Sequence, residues 1–224
     1  MHEYFSNVYF IIIAVTSLVS VIAFSNRSLL IKLIFHEESI LGPRHEWYRI
    51  LSHALVHGGW IHLIFNMVTL YFFAPVIEAV FGSLTLVIIY VASIAAGGLL
   101  SLFFHRKQPN YTALGASGGV VGILFSSIAL NPFSKIYIFP FPVGISSWLF
   151  GVCYLAFTVY AIRSMPESQI GHDAHLGGAV AGILFTLALA PQILIIHGIY
   201  ILFMMIPVVI GLLLMLNVIK MPKR

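Results

Sequence analysis

The sequence predicts an all-α, polytopic membrane bundle, and three observations carry that prediction. Of the 224 residues, 60% are hydrophobic and 8% are charged, where an ordinary soluble domain has about 25% charged residues. Mean hydropathy is +1.03. The apolar residues gather into runs close to the roughly 20 residues that a helix needs to cross a bilayer. Runs such as Ile193-Leu194-Ile195-Ile196 and Leu212-Leu213-Leu214-Met215-Leu216 show no alternation of polarity, whereas a closed β-barrel needs it over strands of about ten residues.

Seven helices are expected, at roughly 7–24, 59–80, 83–104, 115–131, 145–162, 174–191 and 193–219. The first stays as a spanning helix and is not a leader: Met1 to Asn7 holds Glu3 and no Lys or Arg, and no small-residue cleavage site follows. Residues 25–58 form a long connection that carries Glu37, Glu38, Glu46, Trp47, Tyr48 and Arg49 and the apolar run Leu29 to Ile34. A connection with that content is expected to fold at the membrane interface, where Trp and Tyr are favoured. Pro140, Pro142 and Gly144 break the chain before the fifth helix, and Gly171 does so before the sixth. Residues 1–192 thus form a six-helix core, and 193–224 add a C-terminal spanning helix with a short basic tail. Cys153 is the single cysteine, so no internal disulfide forms, and its place in the fifth helix predicts a small core residue. The net charge of +4 is scattered over short loops without a basic, aromatic-interleaved surface, which argues against nucleic acid as a partner. The lipid bilayer is the partner that composition does require.

Polar residues in such a chain are functional hypotheses by default. His53-x3-His57-x4-His62-x3-Asn66 opens the second helix, and His62 and Asn66 fall one turn apart on one face. Histidine and asparagine at these places also serve as plain interhelical hydrogen-bonders. Metal binding by His53, His57, His172 and His175 is the other alternative. A zinc protease of the His-Glu-x-x-His type needs a Glu beside the first His, and Ala54 stands there; no metal or cofactor is assigned. Gly115-Ala116-Ser117-Gly118 opens the fourth helix and His175 lies near the start of the sixth. Gly118-x3-Gly122 and Gly178-x3-Gly182 read as small-residue packing faces, and the two readings are compatible, since close helix approach would bring the Ser117 hydroxyl towards His175. A free serine is a weak nucleophile until a neutral imidazole takes its proton. Its tetrahedral intermediate needs donors, and the Ser117 backbone N–H, His62 and Asn66 are candidates, with Gly115 and Gly118 shaping the nucleophile loop.

These motifs, in this order on the second, fourth and sixth helices, resemble the rhomboid intramembrane serine proteases. Glu46-x2-Arg49 and Glu78 also resemble that family's pattern, so the likeness covers about residues 40–190. It implies a six-helix core with one added helix, a Ser117–His175 dyad without an acidic third member, and cleavage of transmembrane protein substrates near the membrane surface. Unwound, Gly-rich starts to the fourth and sixth helices are tolerated only where they line a water-filled cavity, which predicts a polar cavity lined by His57, His62, Asn66, Ser117 and His175, with His53, Arg49, Glu78, Gly178 and Gly182 as further cavity or structural residues. The fifth helix would be the substrate gate, with Trp148, Phe150 and Tyr154 at its lining, and the setting would be a bacterial-type cell (inner) membrane. Two positions depart from the pattern. Tyr48 stands where the family often has Trp, and Val121 stands where well-known bacterial members carry a tyrosine that packs on the catalytic imidazole.

Orientation sets two arguments against each other. On one side of a seven-helix arrangement lie Arg27, Lys32, Arg44, Arg49, Arg106, Lys107, Arg163, Lys220, Lys223 and Arg224, leaving Lys135 opposite. The positive-inside rule puts that side in the cytoplasm, while the resemblance puts it outside. A catalytically inactive relative, or a polar-cored transporter, is the alternative function.

Overall fold

The computed structural model describes residues 7–138, 143–165 and 170–215. The expectations placed on Glu3, Pro140, Pro142, Lys220, Lys223 and Arg224 lie outside the described residues. In chain order the elements are α1 (Val8–Ser25), α2 (Arg27–Leu33), β1 (Phe35–His36), α3 (Glu37–Leu41), α4 (Arg49–Ser52), α5 (Trp60–Phe81), α6 (Ser83–His105), β2 (Thr112–Ala113), α7 (Ser117–Leu130), β3 (Lys135–Tyr137), β4 (Gly144–Ser146), α8 (Ser147–Ser164), α9 (His172–Leu189) and α10 (Gln192–Met215). The chain is an all-α, multi-pass membrane protein: α1, α5, α6, α9 and α10 are long and apolar enough to span a membrane, and α8 matches α1 and α9 in length at 18 residues. The structure divides into two compact units, residues 1–127 with 173–185, and residues 128–172 with 186–224.

Three sequence expectations need correction. The fourth helix has 14 residues, about 21 Å at 1.5 Å per residue and short of the roughly 30 Å hydrocarbon core. It is buried without interruption from Gly118 to Ala129, so its surroundings are other helices and its length is not set by lipid. His53 and His57 do not open a helix: His53 sits in a 3-10 turn over His53–Leu55 and His57 precedes α5, because Gly58-Gly59 interrupts the helix before Trp60. Cys153 is exposed on α8; a small apolar side chain faces lipid at no cost.

In the first unit, the connection between α1 and α5 is folded by side chains that close the end of α2. The last carbonyls of a helix have no partner within it. Here the Ile31 and Ile34 carbonyls accept from Arg49 Nη1 at 2.8 and 2.7 Å, that of Lys32 from the Tyr48 hydroxyl at 3.2 Å, and that of Leu33 from Ser52 Oγ at 2.8 Å. A cation at a helix C-terminus also meets the negative end of the helix dipole. Arg49 Nε pairs with Glu46 Oε2 at 2.6 Å, and this bond holds the Glu46 carboxyl below the usual range. Below the connection, Phe35, Ile40, Ile50 and Leu102 form a buried cluster, and β1 pairs antiparallel with β2 (Phe35↔Ala113). Buried Glu78, near the end of α5, accepts from the Val8 N–H at 3.0 Å and bonds Ser83 Oγ, so one carboxylate fastens the starts of both α1 and α6.

In the second unit, α8 packs along α10. Trp148 meets the rings of Tyr200 (5.5 Å) and Phe203 (6.0 Å), and Phe133 meets Tyr200 (4.9 Å). Lower on the seam, Gly211 lies against Val159: a Cβ there would come within 2.7 Å of a valine methyl. A groove of about 310 Å³ lined by Trp148, Val152, Phe203, Ile206 and Pro207 remains along this seam. The strands β3 and β4 pair antiparallel ahead of α8 (Ile136↔Ile145).

Candidate active site

Glycines place the segments that carry Ser117 and His175. A Cβ on Gly178 would strike the backbone of Gly118, and one on Gly182 would strike the backbone of Gly122. The helices α7 and α9 therefore run side by side, backbone against backbone and in the same direction, which only small residues permit. On its other side α9 meets α6 in the same manner: a Cβ on Gly177 would lie 2.7 Å from the Ala96 carbonyl oxygen, and one on Gly97 would lie 2.6 Å from that of Ala174. Gly118, the residue after Ser117, also faces the carbonyl of Ala174, the residue before His175, at 3.5 Å from an added Cβ. Ser117 and His175 are each half-buried.

The turn into α7 is held from several directions. Gly115 has φ +114°, a conformation open to glycine and strained for other residues, and the His62 ring fills the place where a Cβ would stand, 2.6 Å from His62 Cε1. The Gly115 N–H donates to the His53 carbonyl at 2.9 Å, and the Ala116 N–H donates to His57 Nε2 at 3.2 Å. Ser20 Oγ donates its one proton to the Leu55 carbonyl at 2.9 Å and lies 2.8 Å from His57 Nδ1. His57 must then be protonated at Nδ1 and carry a lone pair at Nε2, a neutral tautomer that suits the Ala116 donor. Burial pushes the His57 imidazole down to about 3, with His62 nearby adding to the effect. His57 is 1% exposed and both nitrogens are engaged, so it supports the turn from behind. His53 Nδ1 is 3.0 Å from the Arg49 carbonyl, and burial lowers its pKa as well. With both its nitrogens engaged, the His57 ring offers no lone pair to a metal in this arrangement.

Within α5, Asn66 Nδ2 donates to the His62 carbonyl at 2.9 Å, and Asn66 is buried while His62 is half-buried. His62 thus faces the turn that carries Ser117, with the first N–H groups of α7, which have no partner inside the helix, at the same end. Val121 is buried one turn into α7. The residues considered as a gate lie on α8, where Trp148 rests on α10 and Phe150 stacks near Tyr154 at 5.8 Å. Sequence reasoning overlooked Ser20, which selects the His57 tautomer, and Asp173, which is buried in the first turn of α9. Asp173 had a signal: an acid at the start of a membrane-length apolar run.

The Rhomboid domain family matches residues 44–192, about two thirds of the chain. The putative rhomboid protease YdcA of Bacillus subtilis is 28% identical over 145 residues, covering 63% of this chain and 66% of that protein. The rhomboid protease GlpG of Haemophilus influenzae is 29% identical over 141 residues, 62% of this chain and 68% of that one. Among plant proteins, the inactive RHOMBOID-like protein 8 of Arabidopsis thaliana is 34% identical over 91 residues, 41% of this chain and 26% of its own length. The chain spans about two thirds of the length of YdcA and GlpG and less than half of several other relatives, bacterial and eukaryotic. With the Rhomboid domain covering both the Ser117 and His175 segments, the chain belongs to the rhomboid family.

Proposed function

We propose that this protein is an intramembrane serine endopeptidase that cleaves transmembrane protein substrates near the membrane surface. The observation that carries the reading is the backbone contact of Gly118 with Ala174 and Gly178, which sets the start of the serine helix beside the start of the histidine helix. In this reading Ser117 Oγ attacks the scissile carbonyl carbon while His175 accepts its proton. The same imidazolium then returns the proton to the leaving amine, and a water repeats the cycle on the acyl-enzyme. The oxyanion is held by the Ser117 N–H at the positive end of α7 and by His62 and Asn66, whose second amide hydrogen is the one not given to the His62 carbonyl. Gly115 lets the turn bring these donors close. Residues 1–192 are the catalytic core, 193–224 the added helix, and α8 the face past which a substrate helix enters, in a bacterial-type inner membrane. No cofactor takes part.

The test is covalent labelling of protein in liposomes with a fluorophosphonate, beside cleavage of a transmembrane-segment substrate. Wild type labels and cleaves; Ser117→Ala and His175→Ala do neither. Labelling that persists in Ser117→Ala would overturn the nucleophile assignment. A wild type that neither labels nor cleaves would instead favour a non-cleaving relative, the reading that the plant protein named as inactive keeps open. His62→Ala and Asn66→Ala each raise the barrier by about 2–4 kcal/mol where the donor is a principal one.

A further inference from the structure

We propose that His105 and Asp173 form a clasp that holds the Ser117 turn and the His175 helix in register, acting as positioning residues for the reaction proposed above, on which this inference rests. Asp173 lies in the first turn of α9, two residues before His175, and is 4% exposed. A carboxylate buried there is costly unless a cationic or donor group meets it. His105, the last residue of α6, does so: its Nε2 lies 3.2 Å from Asp173 Oδ2, a close polar contact that an N–H at this place makes with the carboxylate although its alignment is poor for a hydrogen bond. The opposite nitrogen of the ring, Nδ1, is 2.9 Å from Gln108 Oε1, which fixes the ring's rotation from its other edge.

From His105 the contact continues to the nucleophile. The imidazole lies flat on the Tyr111 ring, with centroids 3.5 Å apart and planes at 4°. Burial raises the Tyr111 phenol pKa and the nearby Asp173 carboxylate raises it further, which sets Tyr111 within the same electrostatic cluster. Tyr111 is held in turn: its carbonyl accepts from the Glu37 N–H at 3.1 Å, and its ring stands edge-on to buried Phe35 at 6.0 Å. Phe35 pairs with Ala113, and two residues later comes Gly115 of the turn into α7. A path of short, rigid contacts therefore joins the residue two before the proposed base to the residue two before the proposed nucleophile.

The glycine seam alone does not supply this. Backbone contact between α7 and α9 sets how near the helices come, while small faces leave sliding and rotation weakly opposed. A side-chain clasp at the N-terminal end of α9 opposes both, and a displacement near 1 Å at reacting atoms is enough to cost roughly 100-fold in rate.

The experiment follows labelling of the protein in liposomes by a fluorophosphonate, resolving the rate of bond formation from binding. His105→Ala and Asp173→Asn are expected to slow bond formation roughly tenfold or more with probe binding unchanged within about twofold. His105→Gln, which keeps an N–H donor towards Asp173, recovers most of that rate. Thermal melting of each variant is followed in parallel. If all three variants label at the wild-type rate, the clasp is overturned and the serine assignment stands. The clasp is also overturned if rates fall only in proportion to lost melting temperature, with no recovery in His105→Gln, because that is the mark of a general structural role. A wild type that does not label at Ser117 overturns the reaction itself.

Discussion

The long connection and the seam of α8 with α10 are both needed to hold apolar helices in place, yet they use opposite chemistry. Around the connection, Arg49, Tyr48 and Ser52 close the last three backbone carbonyls of α2 and that of Ile34 just beyond it, Glu78 ties two helix starts, and His57 stands between Ser20 and the Ala116 N–H. Along α8 and α10 the contacts are mainly rings and methyl groups, with one long hydrogen bond from Arg163 Nη1 to the Leu214 carbonyl at 3.5 Å and a groove left unfilled. Polar contacts in a low dielectric are directional, and losing one partner leaves the other buried and unsatisfied. Apolar contacts in lipid gain little over contact with lipid itself. The unit that holds the candidate site is thus built to have one arrangement, and the α8–α10 seam is built to tolerate several.

Substitutions at glycine separate the two most sharply. Gly178→Ala drives a methyl into the Gly118 backbone, and should cost more than the ~1–3 kcal/mol typical of overpacking, since backbone cannot rotate away. Loss of cooperative melting and of fluorophosphonate labelling would show it; wild-type melting would break the contrast. Acid should act next. The folded state holds His57 neutral down to about pH 3, while an unfolded histidine takes a proton near pH 6.5. The unfolded state therefore binds more protons between those values, so stability is full above about pH 6.5 and falls on acidification towards 3, by on the order of a few kcal/mol. His53, also depressed by burial, adds in the same direction. Melting curves across pH 3.5–8 should show this slope, reduced in His57→Gln.

Arg49→Lys should cost about 1–3 kcal/mol by denaturant melting, because an ammonium cannot reach the Ile31 and Ile34 carbonyls together with Glu46 as the guanidinium fork does. Equal stability of the two would mean that charge alone closes α2. The smallest effect belongs to α10. Gly198 has nothing within 4 Å of an added Cβ, so Gly198→Ala should stay within about 0.5 kcal/mol of wild type. A large loss there would show that this face is covered after all.

Much of this was legible in the chain. Each of the seven expected helices has a counterpart whose described ends differ by at most a few residues, because a membrane helix must hide every backbone polar group and so advertises itself as a long apolar run. The folding of residues 25–58 was legible from Trp47, Tyr48 and the apolar run before them. The role of His57 was not: its partners are 37 and 59 residues away in sequence, and nothing in His-x4-His spacing distinguishes a ring that lines a cavity from one that props a turn. Asp173 and His105 were equally silent as a pair, being 68 positions apart.

By itself, then, the sequence determined the class, the helices and the order of motifs, since hydropathy is a sum over local residues. Only the tertiary structure decided that α7 is short and buried from Gly118 to Ala129, that Gly115 must yield its Cβ position to His62, and that His57 is neutral and occupied. These depend on which backbones approach, and in a bilayer that is settled by small-residue contact and paired polar groups between segments far apart in the chain.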